Sequence, residues 1–270
     1  MRVKLFIVTY RNPDHLCENL TSLVESTDIN RLEVCVINNH SDFCIGTQFD
    51  TVKVIHNAVR PDFSTGHLAR SWNQAIINGF KSINNPDCDI LITAQDDTIW
   101  KPDFLDVLID YHRTHSFIAF GDGDNVCSYT IDAIKRIGIW DERFCNIGYQ
   151  ELDYFIRALK FDPDNVSIND WVHPGRIHRT LNNKVMIRPN RNNEKLTDHH
   201  ASMAFHELSR QMFFLKWGFD PNVCDPFNVF QHGVTGKGLA YMYYPYFERH
   251  IENLQQKYYI YENIYQNRSG

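Results

Sequence analysis

Continuous apolar runs, each closed by a polar turn, alternate with helical patterns along the N-terminal part of the chain. Lys4-Leu-Phe-Ile-Val-Thr9, Leu32-Glu-Val-Cys-Val-Ile37, Val52-Lys-Val-Ile55 and Ile90-Leu-Ile-Thr-Ala94 read as strands. Apolar runs without alternation mark strands buried on both faces of a parallel sheet. Between them, Leu16, Leu20, Leu23 and Val24 recur at helical spacing behind Asp14, a candidate cap. Ala69, Trp72, Ala75, Ile76 and Gly79 share one face of a second helix. This rhythm predicts right-handed βαβ units and an α/β fold, with a Rossmann-like, mostly parallel sheet flanked by helices.

Further on, the pattern predicts a helix over 102–113, a strand over 117–120 and a turn over 121–125 in which Asp122 and Asp124 are turn formers. Leu152, Phe155, Ile156 and Leu159 mark another helix, and 166–180 holds a strand with His173 and His178. The Asn-rich, basic stretch 182–193 reads as a mobile loop over a site. A last helix, 208–217, is stopped by Gly218 and Pro221. Residues 221–270 are dense in aromatics and predict a helical extension packed on the domain or in an oligomer interface, such as a homodimer's.

Composition narrows the function classes. The 270 residues carry a net charge of −6 and a pI near 6.1, which argues against nucleic acid and against a polybasic membrane surface. No stretch approaches the length of apolar sequence that spans a membrane, and the N-terminal run enters a strand too soon for a signal peptide. Seven cysteines without a Cys-x-x-Cys pair fit reduced thiols, hence a cytoplasmic protein.

The chemistry converges after the fourth strand, where Ala94-Gln-Asp-Asp-Thr98 sets Asp96 beside Asp97. Ligands of open α/β sheets bind at the carboxyl ends of strands. Adjacent carboxylates there call for a cation, and oxygen ligands favour Mg2+ or Mn2+ shared with substrate phosphates. The alternative is a strand-to-helix turn with Asp97 or Thr98 as a cap. No Gly-x-Gly-x-x-Gly follows the first strand, and Gly233-Val-Thr-Gly-Lys-Gly238 is no Walker loop. His206-Glu-Leu-Ser-Arg210 lacks the second histidine of a zinc protease. Glu151 and Asp153 open a helix, where acids also serve the helix dipole.

Several segments together resemble the family 2 glycosyltransferases of the GT-A fold, especially the rhamnosyltransferase-like branch. They are Phe6-Ile-Val-Thr-Tyr-Arg-Asn12, Val36-Ile-Asn-Asn-His-Ser41, Leu91-Ile-Thr-Ala-Gln-Asp-Asp-Thr98 with Pro102-Asp-Phe-Leu105, Ile137-Gly-Ile-Trp-Asp-Glu-Arg-Phe144, Gly148-Tyr-Gln-Glu-Leu-Asp153 with Arg157, and Phe214-Leu-Lys-Trp-Gly218. The resemblance covers 1–220 and implies a glycosyltransferase domain with a nucleotide-binding half, 1–100, and an acceptor half, 101–220.

It also implies an inverting enzyme that moves a sugar from a UDP-, GDP- or dTDP-sugar to a hydroxyl of a carbohydrate or glycoconjugate acceptor. On the donor, Thr9, Tyr10 and Arg11 would line the base pocket, Asn38 would be a further donor contact, and Asn39 stands near the place where the family usually has an aspartate on the base or ribose. Asn57, Gly66 and Arg70 would lie near the ribose or diphosphate. Gln95 replaces the first acid of the family's Asp-x-Asp motif, leaving Asp96 for ribose or sugar and Asp97 for the metal, with His173 as a further metal or diphosphate contact. Glu151 would be the general base and Asp153 its catalytic neighbour. Two other readings stand beside this one. A sugar nucleotidyltransferase would need a Gly-rich, lysine-bearing loop in place of Tyr10-Arg-Asn-Pro-Asp14. A decayed GT-A fold would serve as a glycan- or nucleotide-binding scaffold.

Overall fold

The computed structural model describes residues 1–10, 12–40, 43, 45–57, 68–121, 123–144, 149–162, 164–168, 183–187, 199–217 and 220. The chain divides into two compact units woven from separate stretches of sequence. The first comprises Met1–Asp62, Asp87–Ile131 and Asn165–Thr197, the second Phe63–Pro86, Asp132–Asp164 and Asp198–Gly270.

The first unit holds the expected mostly parallel sheet. Its strands are β1 (Val3–Thr9), β2 (Leu32–Asn38), β3 (Lys53–His56), β4 (Ile90–Gln95), β6 (Phe117–Phe120), β7 (Val126–Tyr129) and β8 (Val166–Ser167), in the order β3-β2-β1-β4-β7-β6-β8. β1 pairs in parallel with β2 and with β4, and β2 with β3. β7 runs against both neighbours because it follows β6 through a tight turn, with Gly121 and Gly123 at positive φ, rather than through a crossover helix. Helices α1 (Pro13–Ser26) and α3 (Phe104–Tyr111) cover one face. There Leu16, Leu20, Leu23, Phe104, Leu105 and Leu108 form one core with Val3, Leu5, Ile7, Val34, Val36, Ile90 and Ile92.

Four local expectations are corrected here. Asp14 lies inside the first turn of α1, where it still suits the helix dipole, because Pro13 takes the first helical position and Asn12 the cap. Val24 is on the solvent side of that helix, 49% exposed. Asp97 leads into a strand, β5 (Thr98–Trp100), rather than capping a helix. Part of the Asn-rich stretch, Val185–Ile187, is a strand, β9, paired antiparallel with β5. The alternation in Val185-Met-Ile187 buries Val185 and exposes Met186, which suits an edge pair.

The second unit is helical: α2 (Leu68–Phe80), most of α4 (Ile131–Ile137), α5 (Tyr149–Phe161) and α6 (His199–Trp217). Its packing is aromatic. Trp140 stacks on Tyr154 with centroids 4.3 Å apart, and Phe213 sits against Phe144, Tyr149 and Trp217. Asn73 of α2 clamps the Trp140 backbone, with Oδ1 accepting from its N–H and Nδ2 donating to its carbonyl, each at 2.8 Å. α6 begins nine residues before the predicted helix. The expected extension over 221–270 lies outside the described residues.

Candidate functional site

In the first unit the pairing register brings most of the donor-side residues to one edge. Thr9 lies opposite Asn38, Asn38 opposite His56, and Val8 opposite Gln95, so the carboxyl ends of β1 to β4 coincide. The order β3-β2-β1-β4 puts the topological switch point between β1 and β4, the crevice where open α/β sheets bind ligands. The Thr9 hydroxyl spans that crevice and donates to Asp96 Oδ2 at 2.7 Å.

Each carboxylate of the pair is held by a neutral donor. Asp96 has Thr9, and Asp97 Oδ1 accepts from Asn125 Nδ2 at 2.9 Å. Asn125 is fully buried, and its Oδ1 accepts from the Thr98 hydroxyl at 3.2 Å. Gln95 donates from Nε2 to Asp124 Oδ1 at 2.9 Å. A carboxylate only accepts, so the amide nitrogen of Gln95 faces Asp124. Below the turn, Asn19 of α1 donates to the Gln95 carbonyl and accepts from the Trp100 indole, tying the end of β4 to the start of β5.

On the β2 and β3 side the edge is lined by amides and imidazoles. Asn57 Nδ2 donates to Asn39 Oδ1 at 2.7 Å, and the Asn39 N–H donates to the Thr9 carbonyl at 3.0 Å. Asn38 Nδ2 donates to the His40 carbonyl and lies 3.2 Å from His56 Nδ1, while Tyr10 meets the edge of His40 with centroids 5.4 Å apart. Short polar side chains fit these strand ends because the backbone hydrogen bonds of the sheet stop there and the side chains take over.

The two acids of α5 and the exposed Arg70 of α2 belong to the second unit. Glu151 is half-buried in the first turn of α5. Asp153 is fully buried and engaged on both oxygens. Its Oδ2 accepts from Arg157 Nε at 3.0 Å, and its Oδ1 accepts from Trp217 Nε1 at 2.9 Å with Lys216 Nζ at 2.7 Å. Lys216 also reaches Asp141 at 3.1 Å, and Arg143 caps Asp141 from its other side. Burial pushes the Asp141 carboxyl up, but Arg143, Lys216 and Arg157 more than offset this and hold it well below the usual carboxylate range. Removing any one of these charges would leave a buried partner uncompensated.

Arg11, Gly66 and His173 lie outside the described residues. Sequence reasoning missed Asn125 and Asp124, which it left in a turn. The signal was the short run Val126-Cys-Ser-Tyr129: read as a strand antiparallel to β4, it places the residues just before it beside Gln95 and Asp97. Among the described residues, no three His, Cys, Asp or Glu side chains converge into a metal cage. No helix among them is long and apolar enough to cross a membrane.

No family model matches the sequence, and no curated protein matches it. Solved structures are similar to it at low identity. Residues 1–349 of S. aureus TarS in complex with UDP match at 11% identity and a TM-score of 0.48, over 86% of this chain and 75% of that one. The longer TarS chain matches over 63% of this chain and 35% of its own length, so this chain spans about a third of it, at 10% identity and a TM-score of 0.42. The mannosyltransferase PcManGT from Pyrobaculum calidifontis, in complex with GDP-Man and Mn2+, matches at 14% identity and a TM-score of 0.43, over 97% of this chain and 86% of that one.

Proposed function

We propose that the protein is a glycosyltransferase that moves a sugar from a nucleotide-diphosphate sugar to an acceptor hydroxyl with inversion. The observation that carries this reading is the pair Asp96 and Asp97, buried together at the switch point of a parallel sheet and each held by a neutral donor. Two adjacent carboxylates in a binding crevice favour a cation, and a diphosphate brings the remaining oxygen ligands.

The residues present fit such a cation in a specific sense. With Asp97 oriented by Asn125 and no protein cage among the described residues, the donor set suits Mn2+ or Mg2+ only when substrate phosphates complete the shell. Asp97 would hold it, and when bound it offsets charge on the departing diphosphate. The other roles belong to the chain's own side chains. Asn38, Asn39 and Tyr10 border the place for a uracil, guanine or thymine base, Asn57 serves the ribose or diphosphate, and Thr9 fixes Asp96 for the ribose or sugar. Glu151 takes the proton of the acceptor hydroxyl as it attacks the anomeric carbon, the sugar–phosphate bond breaks on the opposite face, and the nucleoside diphosphate leaves. Asp153, the neighbour of Glu151, is bonded by Arg157, Lys216 and Trp217 and holds α5. Residues 1–220 form the catalytic domain in this reading, and 221–270 serve acceptor or subunit contacts.

The test is transfer and donor hydrolysis across a panel of UDP-, GDP- and dTDP-sugars with and without Mn2+. One donor should turn over in a metal-dependent way. Glu151→Gln should lower turnover at least a hundredfold, in the range a general base contributes, with nucleotide affinity kept within about twofold. Near-normal turnover in that variant would remove Glu151 from the base role, and no turnover with any donor would favour a binding scaffold.

A further inference from the structure

Asn125 makes no contact that sequence analysis would assign to a substrate, yet it is a fully buried polar side chain beside the carboxylate pair. Its amide is oriented by chemistry rather than by choice. Asp97 only accepts, so the NH2 group must face it, at 2.9 Å, and the carbonyl oxygen is thereby turned to the Thr98 hydroxyl at 3.2 Å. The backbone locks the same residue in register, since the Gln95 N–H donates to the Asn125 carbonyl at 2.9 Å across β4 and β7. Gly121 faces the side chain with φ of +87°, and a Cβ there would sit 3.0 Å from Asn125 Oδ1, so the turn leaves just enough room for the amide in this pose.

We propose that Asn125 is a positioning residue for Asp97: the Thr98–Asn125–Asp97 relay fixes the orientation of the carboxylate as a ligand for a divalent cation carried by a nucleoside diphosphate. This rests on the function proposed above and deepens it, because a site with one protein carboxylate depends on how well that carboxylate is held. Outer partners that orient a metal-binding carboxylate are worth ten- to a hundredfold in metal affinity. The relay also accounts for the hydroxyl at position 98, which a strand position facing only apolar neighbours would not require.

The test is Mn2+ binding, followed by electron paramagnetic resonance of the free ion, in the presence and absence of UDP, GDP or dTDP. Nucleotide affinity without metal and the melting temperature are measured alongside. For the wild type, one nucleotide should tighten Mn2+ binding. If none does, the proposed function falls and takes this inference with it, before any variant is made. Given that response, Asn125→Ala should weaken nucleotide-dependent Mn2+ binding at least tenfold and leave metal-free nucleotide affinity within twofold, a split that a merely structural residue would not produce. Thr98→Val keeps the volume of the side chain and should weaken Mn2+ binding several-fold. It also carries the test if Asn125→Ala does not fold. Wild-type Mn2+ affinity in either folded variant, or equal losses with and without metal, overturns the positioning role and leaves the function standing.

Discussion

Replacing Asp153 by asparagine tests whether that acid serves the structure or the chemistry. It belongs to a set of four buried charges, Asp141, Asp153, Arg157 and Lys216, with Arg143 half-buried at the margin. The buried four are neutral as a set. Asp153→Asn leaves Arg157 and Lys216 facing Asp141 alone, an uncompensated buried positive charge, and breaking such a pair costs about 4 kcal/mol. Lys216→Met leaves the opposite imbalance, but Arg143 already sits on Asp141 and Arg157 on Asp153, so the loss should be smaller, about 2–3 kcal/mol. For a chain of this size the larger value lowers the melting temperature by on the order of 10 °C. Thermal and urea unfolding followed by tryptophan fluorescence suit the question, because Trp140 and Trp217 both lie in this unit and Trp217 donates to Asp153 itself. Asp153→Asn should be the less stable variant and should regain donor turnover at temperatures where it stays folded. A variant that melts like the wild type yet is inactive would refute the reasoning and return Asp153 to the chemistry.

Three further outcomes are expected. Asp97→Asn should abolish the Mn2+ dependence of nucleotide binding, and an unchanged metal response in a titration would take Asp97 out of the site. Gly121→Ala combines a strained positive φ with a Cβ pressed on Asn125, so it should cost about 1–2 kcal/mol in urea unfolding and weaken Mn2+ binding. His112 donates from Nδ1 to the His115 carbonyl and accepts at Nε2 from Ser128, and burial holds its pKa down to about 4 from 6.5. The unfolded chain therefore takes up a proton that the folded one refuses. This contribution is complete above pH 6.5 and is lost as pH falls from 6.5 towards 4. Its size is about 2 kcal/mol after allowance for the part of the ring that solvent reaches. The urea midpoint of His112→Gln should fall less over that interval, and identical pH profiles would contradict the assignment.

The sequence by itself determined the fold class and the location of the donor edge. Apolar runs such as Leu5-Phe-Ile-Val8 and Ile90-Leu-Ile92, short and bounded by turn residues, read as strands covered on both faces, and a polar residue that ends such a run lies at the sheet's carboxyl edge. Thr9, Asn38, Gln95, Asp96 and Asp97 were legible for that reason. The tertiary structure decided everything that depends on pairing across the sheet or between helices. β7 is four residues long with no periodicity to mark it, and only its antiparallel insertion beside β4 brings Asn125 to Asp97. Asp153 and Glu151 look alike in sequence, two acids at the start of one helix. They differ because α6 returns Lys216 and Trp217 onto one of them, and a contact between residues so far apart in the chain leaves no trace in local pattern.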